Sequence, residues 1–211
     1  MILYLIRHGE STSNVHKTFT GQQDAPLTDL GHKQADAICR YFLGIHIDRI
    51  YASDLSRAFE TARPLSMVSR VPIKKNTAFR EINGGQWEYK KFAELTDLYP
   101  EDYALWRSDL RNARPTGGES IREISKRVCD EVDRIAKIHP DETVVIATHA
   151  LPIRVMLSNW LAGGVEEIGR IDWVPNASIT KVAYKDGIYT PIEIGITSHL
   201  ADMITNLPDK I

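Results

Sequence analysis

Segments 2–7, 47–52, 71–75, 143–148, 178–184 and 189–194 are short, apolar and rich in Val, Ile and Tyr, and helical patterns separate most of them. Strands that alternate with amphipathic helices bury a sheet by packing helices on its faces. The alternation predicts an α/β fold with a largely parallel central sheet. Lys185-Asp186-Gly187, between the last two segments, is a tight-hairpin signal because Asp-Gly accepts the left-handed backbone of such turns. At least one edge pair is therefore antiparallel, and the sheet is mixed.

Helix signals fill the intervals. Segment 28–43 starts at Thr28 as cap, places Ala35, Ile38, Cys39 and Phe42 on one face and stops before Gly44. Segment 120–138 spaces Ile121, Ile124, Val128, Val132 and Ile135 by threes and fours, and Ser120 with Glu123 forms a capping box. Segment 151–161 follows a strand directly. A further helix starts near Ser53 with Ala58, Phe59 and Ala62 facing inward. Pro64 is expected to end or kink it, because proline lacks an N–H and clashes with the preceding turn. Residues 84–118 mix Trp87, Tyr89, Phe92, Tyr99, Tyr103 and Trp106 with basic residues. They read as short helices in an excursion over the sheet, where the aromatics serve packing or a lid.

At 211 residues the chain suits one domain spanning residues 1–211, with the lid-like excursion at about 84–118. A formal charge of −2 gives no reason to expect nucleic acid or a membrane as partner, so any basic site is local. The apolar start has no basic n-region and meets Arg7 early. It reads as neither signal peptide nor spanning helix, and a cytoplasmic location is expected. Cys39 and Cys129 lack a CxxC or nearby His pattern, which favours buried thiols over zinc or a disulfide.

The chemistry concentrates where strands end. Leu5-Ile6 runs into Arg7-His8-Gly9-Glu10, and ligands of open α/β sheets bind beyond the carboxyl ends of the strands. A permanent cation beside a nucleophilic imidazole suits a phosphate ester; a surface loop that happens to hold Arg and His is the plain alternative. Val144-Val145-Ile146-Ala147-Thr148-His149 delivers a second imidazole to an equivalent position. Arg57 follows a third strand, and Glu81 follows the segment at 71–75. Singly, these are ordinary: a cap, a surface arginine, a solvated carboxylate. Together they form a coherent phosphoryl-transfer set, since forked guanidinium donors match the charge spread over three phosphoryl oxygens.

The same residues resemble the histidine phosphatase superfamily, the phosphoglycerate mutase-like proteins, over nearly the whole chain. The matches are Arg7-His8-Gly9-Glu10 with Asn14, Thr20-Gly21-Gln22 with Asp24, Pro26-Leu27-Thr28 and Gly31-His32-Lys33-Gln34-Ala35, followed by Ser53-Asp54-Leu55-Ser56-Arg57-Ala58 with Thr61-Ala62. Arg80-Glu81, Trp87-Glu88, Gly118-Glu119-Ser120 and Thr148-His149 complete the series in order. The resemblance implies a three-layer α/β/α sandwich in which His8 is phosphorylated, Glu81 donates and accepts protons, and Arg7, Arg57 and His149 hold the phosphoryl group. Asn14, Thr20, Gly21 and Gln22 are expected to bind substrate. Tyr89 and Ala150 stand where the family usually has glycine, and are expected at the pocket entrance and beside the phosphate.

No metal or other cofactor is expected, because the arginines and a protonated His149 supply positive charge. Glu81 needs a raised pKa to act as an acid, and a backbone carbonyl is expected to fix the tautomer of His8. Mutases of the family carry a longer insertion between the positions of Glu81 and His149. The compact segment here favours water access and hence a phosphatase acting on small phosphorylated metabolites, such as sugar phosphates, phosphoglycerate or the nucleotide-like phosphate of cobalamin synthesis. A cofactor-dependent phosphoglycerate mutase, a non-catalytic phosphate-binding module and a metal-dependent phosphoesterase using both imidazoles are the alternatives. Arg107, Arg111 and Arg114 either face solvent or meet a second acidic group. The oligomeric state stays open, a homodimer included.

Overall fold

Side chains along β1 (Ile2–Arg7) alternate between two separate cores, Leu3 and Leu5 in one and Tyr4 and Ile6 in the other. A strand apolar on both faces needs cover on both. The computed structural model describes residues 1–205 and shows that cover. The sheet also contains β2 (Arg49–Ala52), β3 (Ile73–Lys75), β4 (Thr143–Thr148), β5 (Ile179–Lys185) and β6 (Ile188–Ile196), in the order β3-β2-β4-β1-β5-β6. Pairs β1–β4, β2–β4 and β2–β3 are parallel, whereas β5 runs antiparallel to β1 and β6. The last two strands meet through Asp186 and Gly187, both at positive φ (52° and 83°) as the hairpin requires.

After the short α1 (Thr12–His16), α2 (Asp29–Tyr41) and α3 (Ser56–Ser69) cover one face through Ile38, Phe42, Ala62 and Leu65. The other face is covered by α6 (Ile121–Ile138) and α7 (Ala150–Leu161), with Ile124, Val128, Val132 and Leu151 against Leu3, Leu5 and Ile146. The result is the α/β/α layering. The caps form as the sequence indicates: Thr28 Oγ1 accepts from the Gly31 N–H at 3.0 Å, and Ser120 exchanges hydrogen bonds with Glu123. Cys39 and Cys129 are free thiols, each half-buried.

The helix after β2 differs from expectation at both ends. It starts at Ser56 because Ser53 and Asp54 are engaged elsewhere, Ser53 with His149 and Asp54 with the Arg80 guanidinium. Pro64 does not end it; the helix continues to Ser69. The carbonyl deprived of a partner is that of Glu60, on the half-exposed side of the helix, where solvent can replace the missing N–H. Phe59, expected inside, is only half-buried and lies under the Lys75 ammonium.

Residues 84–118 fold into α4 (Phe92–Leu98), α5 (Pro100–Ser108) and single 3-10 turns. Trp87 and Trp106 each meet the edge of Phe19 at 5.5 Å, and Tyr103 packs on Trp87. No helix among the described residues is long and apolar enough to cross a membrane.

Helix α2 abuts the exit of β1 at backbone distance. A Cβ on Gly31 would lie 2.1 Å from the Glu10 carbonyl oxygen, which cannot retreat without moving the His8-Gly9 turn. Gly31→Ala is expected to cost about 1–3 kcal/mol through overpacking. The check is the midpoint of chemical denaturation, which should fall at unchanged slope.

Candidate active site

In-register pairing of β1 and β4 sets Arg7 opposite Thr148, so His8 and His149 leave the sheet side by side. The His8 N–H continues the ladder to the Thr148 carbonyl at 3.0 Å, and the imidazole centroids lie 5.2 Å apart. Both rings are buried. His8 Nδ1 lies 2.7 Å from the Gly9 carbonyl oxygen, which can only accept, so Nδ1 carries the proton and Nε2 keeps its lone pair. Burial, reinforced by Arg57 and Arg7, pushes the His8 pKa well below the ordinary value and keeps the ring neutral.

The turn beneath His8 is held from three directions. Thr61 Oγ1 accepts from the Gly9 N–H, and the His8 carbonyl accepts from the Ala177 N–H and from Asn176 Nδ2. Asn176 Nδ2 also reaches Asn14 Oδ1 at 3.2 Å. Sequence reading missed Asn176; it stands in a loop before β5 with no motif around it.

Arg7 and Arg57 are almost fully buried without a carboxylate bond. Arg7 donates to the Val174 carbonyl at 2.6 Å, while Arg57 donates to the carbonyls of Gly21 and Gln23. Burial is the chief influence on both and lowers their pKa to about 10, which leaves them cationic at neutral pH. Two buried cations held by neutral carbonyls make a site for an anion.

Glu81 reaches the same cleft. Its carboxylate accepts from the Ile82 N–H at 2.9 Å and the Leu151 N–H at 3.4 Å. It keeps one edge exposed, yet desolvation dominates and raises its pKa against the pull of those N–H groups and Arg57. Arg127 braces this segment: its guanidinium donates to the carbonyls of Ala78, Arg80 and Glu81 and forms a two-pronged pair with Glu119. Arg127 was also missed, because on a helix its charge reads as solvated.

A cleft of about 810 Å³, open to solvent, lies over Arg7, His8, Arg57 and Glu81. Asn14, Thr20, Gly21 and Ala150 line it as well. Three expected residues lie elsewhere. Gln22 is not among the lining residues, and its Nε2 donates to the Glu81 carbonyl. Tyr89 is 65% exposed, does not line the cleft and donates its hydroxyl to Gln23. His149 sits behind His8, where Nε2 meets Ser53 Oγ at 2.9 Å. Burial first, then Arg57, drives its pKa well below the ordinary range, so the expected imidazolium is a neutral ring here. Arg111 and Arg114 pair with Asp109 and Glu123, and neither they nor Arg107 line the cleft. Residues not anticipated as lining include Lys17, Phe19, Ile82, Trp106, Leu151 and Trp173.

The two neutral imidazoles make stability pH-dependent. Below the ordinary value of 6.5 the unfolded chain binds protons that the folded chain refuses, so stability falls as pH falls. Glu81 acts in the opposite sense above 4.5, where its raised pKa makes the folded chain the better proton binder. Urea unfolding from about pH 7 to about 5.5 is expected to lose up to about 1.4 kcal/mol per pH unit for each imidazole. His149→Asn should flatten that slope; an unchanged slope would mean that His149 titrates normally.

The family model described as "Histidine phosphatase superfamily (branch 1)" matches residues 3–196. Phosphoserine phosphatase 1 of Hydrogenobacter thermophilus is 28% identical over 200 residues, covering 95% of this chain and 94% of the relative. The adenosylcobalamin/alpha-ribazole phosphatase of Salmonella typhimurium is 29% identical over 194 residues, covering 92% and 91%. Among solved structures, YhfR of Bacillus stearothermophilus superposes with a TM-score of 0.90 at 28% identity, covering 94% of this chain and 98% of that one. A phosphoglycerate mutase from Bacillus anthracis superposes at 0.84 with 26% identity, covering 96% of each chain. An in-register pair of imidazoles with two buried arginines, within a match that spans nearly the whole sequence, places this chain in the histidine phosphatase superfamily.

Proposed function

We propose that the protein is a metal-independent phosphatase that hydrolyses small phosphorylated metabolites through a phosphohistidine on His8. One observation carries the reading: His8 is buried and neutral, its Nδ1–H is fixed on the Gly9 carbonyl, and Nε2 is left as the nucleophile beside two buried arginines. In the first half-reaction an Nε2–P bond forms as the ester P–O bond breaks, and Glu81 in its acid form protonates the departing alkoxide. Its raised pKa supports that role. In the second, water attacks phosphorus, its proton passes to Glu81, and the N–P bond breaks to release phosphate. Arg7 and Arg57 balance the equatorial charge throughout.

His149 enters this scheme as a neutral ring whose pKa rises when a dianion arrives, since an opposite charge nearby favours protonation. Within a single domain, α4 and α5 serve as a lid-like cover that leaves room for water. Relatives bearing phosphatase names support hydrolysis over isomerisation. A cation in place of the phosphoryl group would face two buried arginines, which disfavours a metal-based scheme.

The test is phosphate release from p-nitrophenyl phosphate and phosphoglycerate in chelator, alongside a mutase assay primed with bisphosphoglycerate. Hydrolysis should persist without metal and fall at least about a thousandfold in His8→Ala. Primed isomerisation with little phosphate release would make the protein a mutase, and loss of activity in chelator would overturn the phosphohistidine scheme.

A further inference from the structure

Beyond the phosphoryl subsite the cleft changes character. Phe92 and Trp106 reach it from α4 and α5, Ile82 and Leu151 flank Glu81, and Trp173 comes from the loop before β5. Besides Arg7 and Arg57, Lys17 is the one cation among the described residues that line it. Polar groups line it too, Ser13, Asn14, Thr18 and Thr20 beside Lys17, but a second anionic group placed against the rings and alkyl groups would meet no partner, where an unpaired charge is costly. An apolar or aromatic group would displace water from those surfaces, which is favourable.

Trp106 is buried against Phe19 and Trp87, whereas Trp173 is half-buried and keeps part of its ring open to the cleft. The Arg154 guanidinium lies 4.4 Å from its ring centroid, a cation–π arrangement, and Arg154 Nε donates to the Ile171 carbonyl at 2.6 Å. The next residue, Val174, supplies the carbonyl that Arg7 binds. One short segment therefore fixes both a phosphoryl ligand and a wall of the cleft, so that wall keeps a defined position relative to the reacting phosphorus. A preset flat surface recognises a flat partner at little ordering cost.

We propose, resting on the phosphatase reading above, that the preferred substrates are monoesters whose alcohol carries an apolar or aromatic group, bound against Trp173 with Phe92 and Trp106. Trp173 is the specificity-determining residue, and Arg154 positions it.

The experiment compares kcat/KM for phenylethyl phosphate, glycerol phosphate, phosphoserine and phosphoglycerate, alkyl esters chosen so that leaving-group chemistry does not dominate. Phenylethyl phosphate should be preferred by about tenfold or more, which corresponds to about 1.4 kcal/mol. Trp173→Ala should raise its KM about tenfold with kcat little changed, and shift glycerol phosphate far less. Trp173→Phe should recover most of the loss, and Arg154→Met should weaken the preference, which a defect in folding alone would not do selectively.

A preference for phosphoserine or phosphoglycerate that Lys17→Ala abolishes would overturn this assignment and leave the phosphatase reading intact. Equal losses for all esters in Trp173→Ala would also overturn it. No hydrolysis of any ester by the parent chain would instead remove the reading on which it rests.

Discussion

Everything at the site depends on the pairing of β1 with β4. Two parallel strands in register, Arg7 opposite Thr148, must place the residues that follow them at one level on one edge of the sheet. The ladder extends past the strand end, since the His8 N–H reaches the Thr148 carbonyl. Because both strands are buried on both faces, a slip of one residue would turn Leu3 and Leu5 toward the wrong core and expel Tyr4 and Ile6 from theirs. The hydrophobic pattern that folds the sheet therefore also sets the spacing between the imidazoles. No separate device is needed to bring them together.

Charge at this edge is organised by what is withheld. Arg7 and Arg57 are removed from water yet receive only carbonyl oxygens, and Glu81, the nearest carboxyl, is itself pushed toward its neutral form. Two unit charges about 4 Å apart interact by about 4 kcal/mol at an effective dielectric of about 20, so each arginine makes a substantial contribution to holding an anion. Burial first, and then the same field, lowers the pKa of His8 and His149. Anion binding reverses that influence. Burial and the two arginines keep both imidazoles neutral.

Much of this was legible in the sequence because it rests on local signals. Strand alternation, the Asp186-Gly187 hairpin and the Ser120–Glu123 capping box are short-range, and the structure contains all three. Arg7, His8, Arg57 and Glu81 stand at or just beyond strands whose carboxyl ends share an edge, so topology alone gathers them. The misreadings arise where an outcome depends on a distant partner. Of the two outcomes expected at Pro64, an end to the helix does not occur, because the face that loses the bond is half-exposed. Tyr89 is expected at the cleft from its position after Trp87-Glu88, yet its backbone is left-handed at φ 67°, its hydroxyl bonds Gln23, and it is not among the residues that line the cleft.

Residues 171–178 show why the remainder was hidden. They contain no catalytic motif, and proline and asparagine there read as an ordinary loop. Folded, the loop crosses the end of β1: the Val174 carbonyl fixes Arg7, Asn176 and Ala177 hold the His8 carbonyl, and Trp173 walls the cleft. Each bond spans more than 160 residues of sequence in the cases of Arg7–Val174 and His8–Asn176, so no window along the chain could reveal it. What brings the loop there is β5, antiparallel to β1, which delivers its preceding residues to the carboxyl end of β1. Reversing one neighbour in an otherwise parallel sheet core thus gives the active edge a backbone brace. A parallel neighbour would bring its carboxyl-end residues to that edge, and this loop, which precedes its strand, would lie at the opposite end of the sheet.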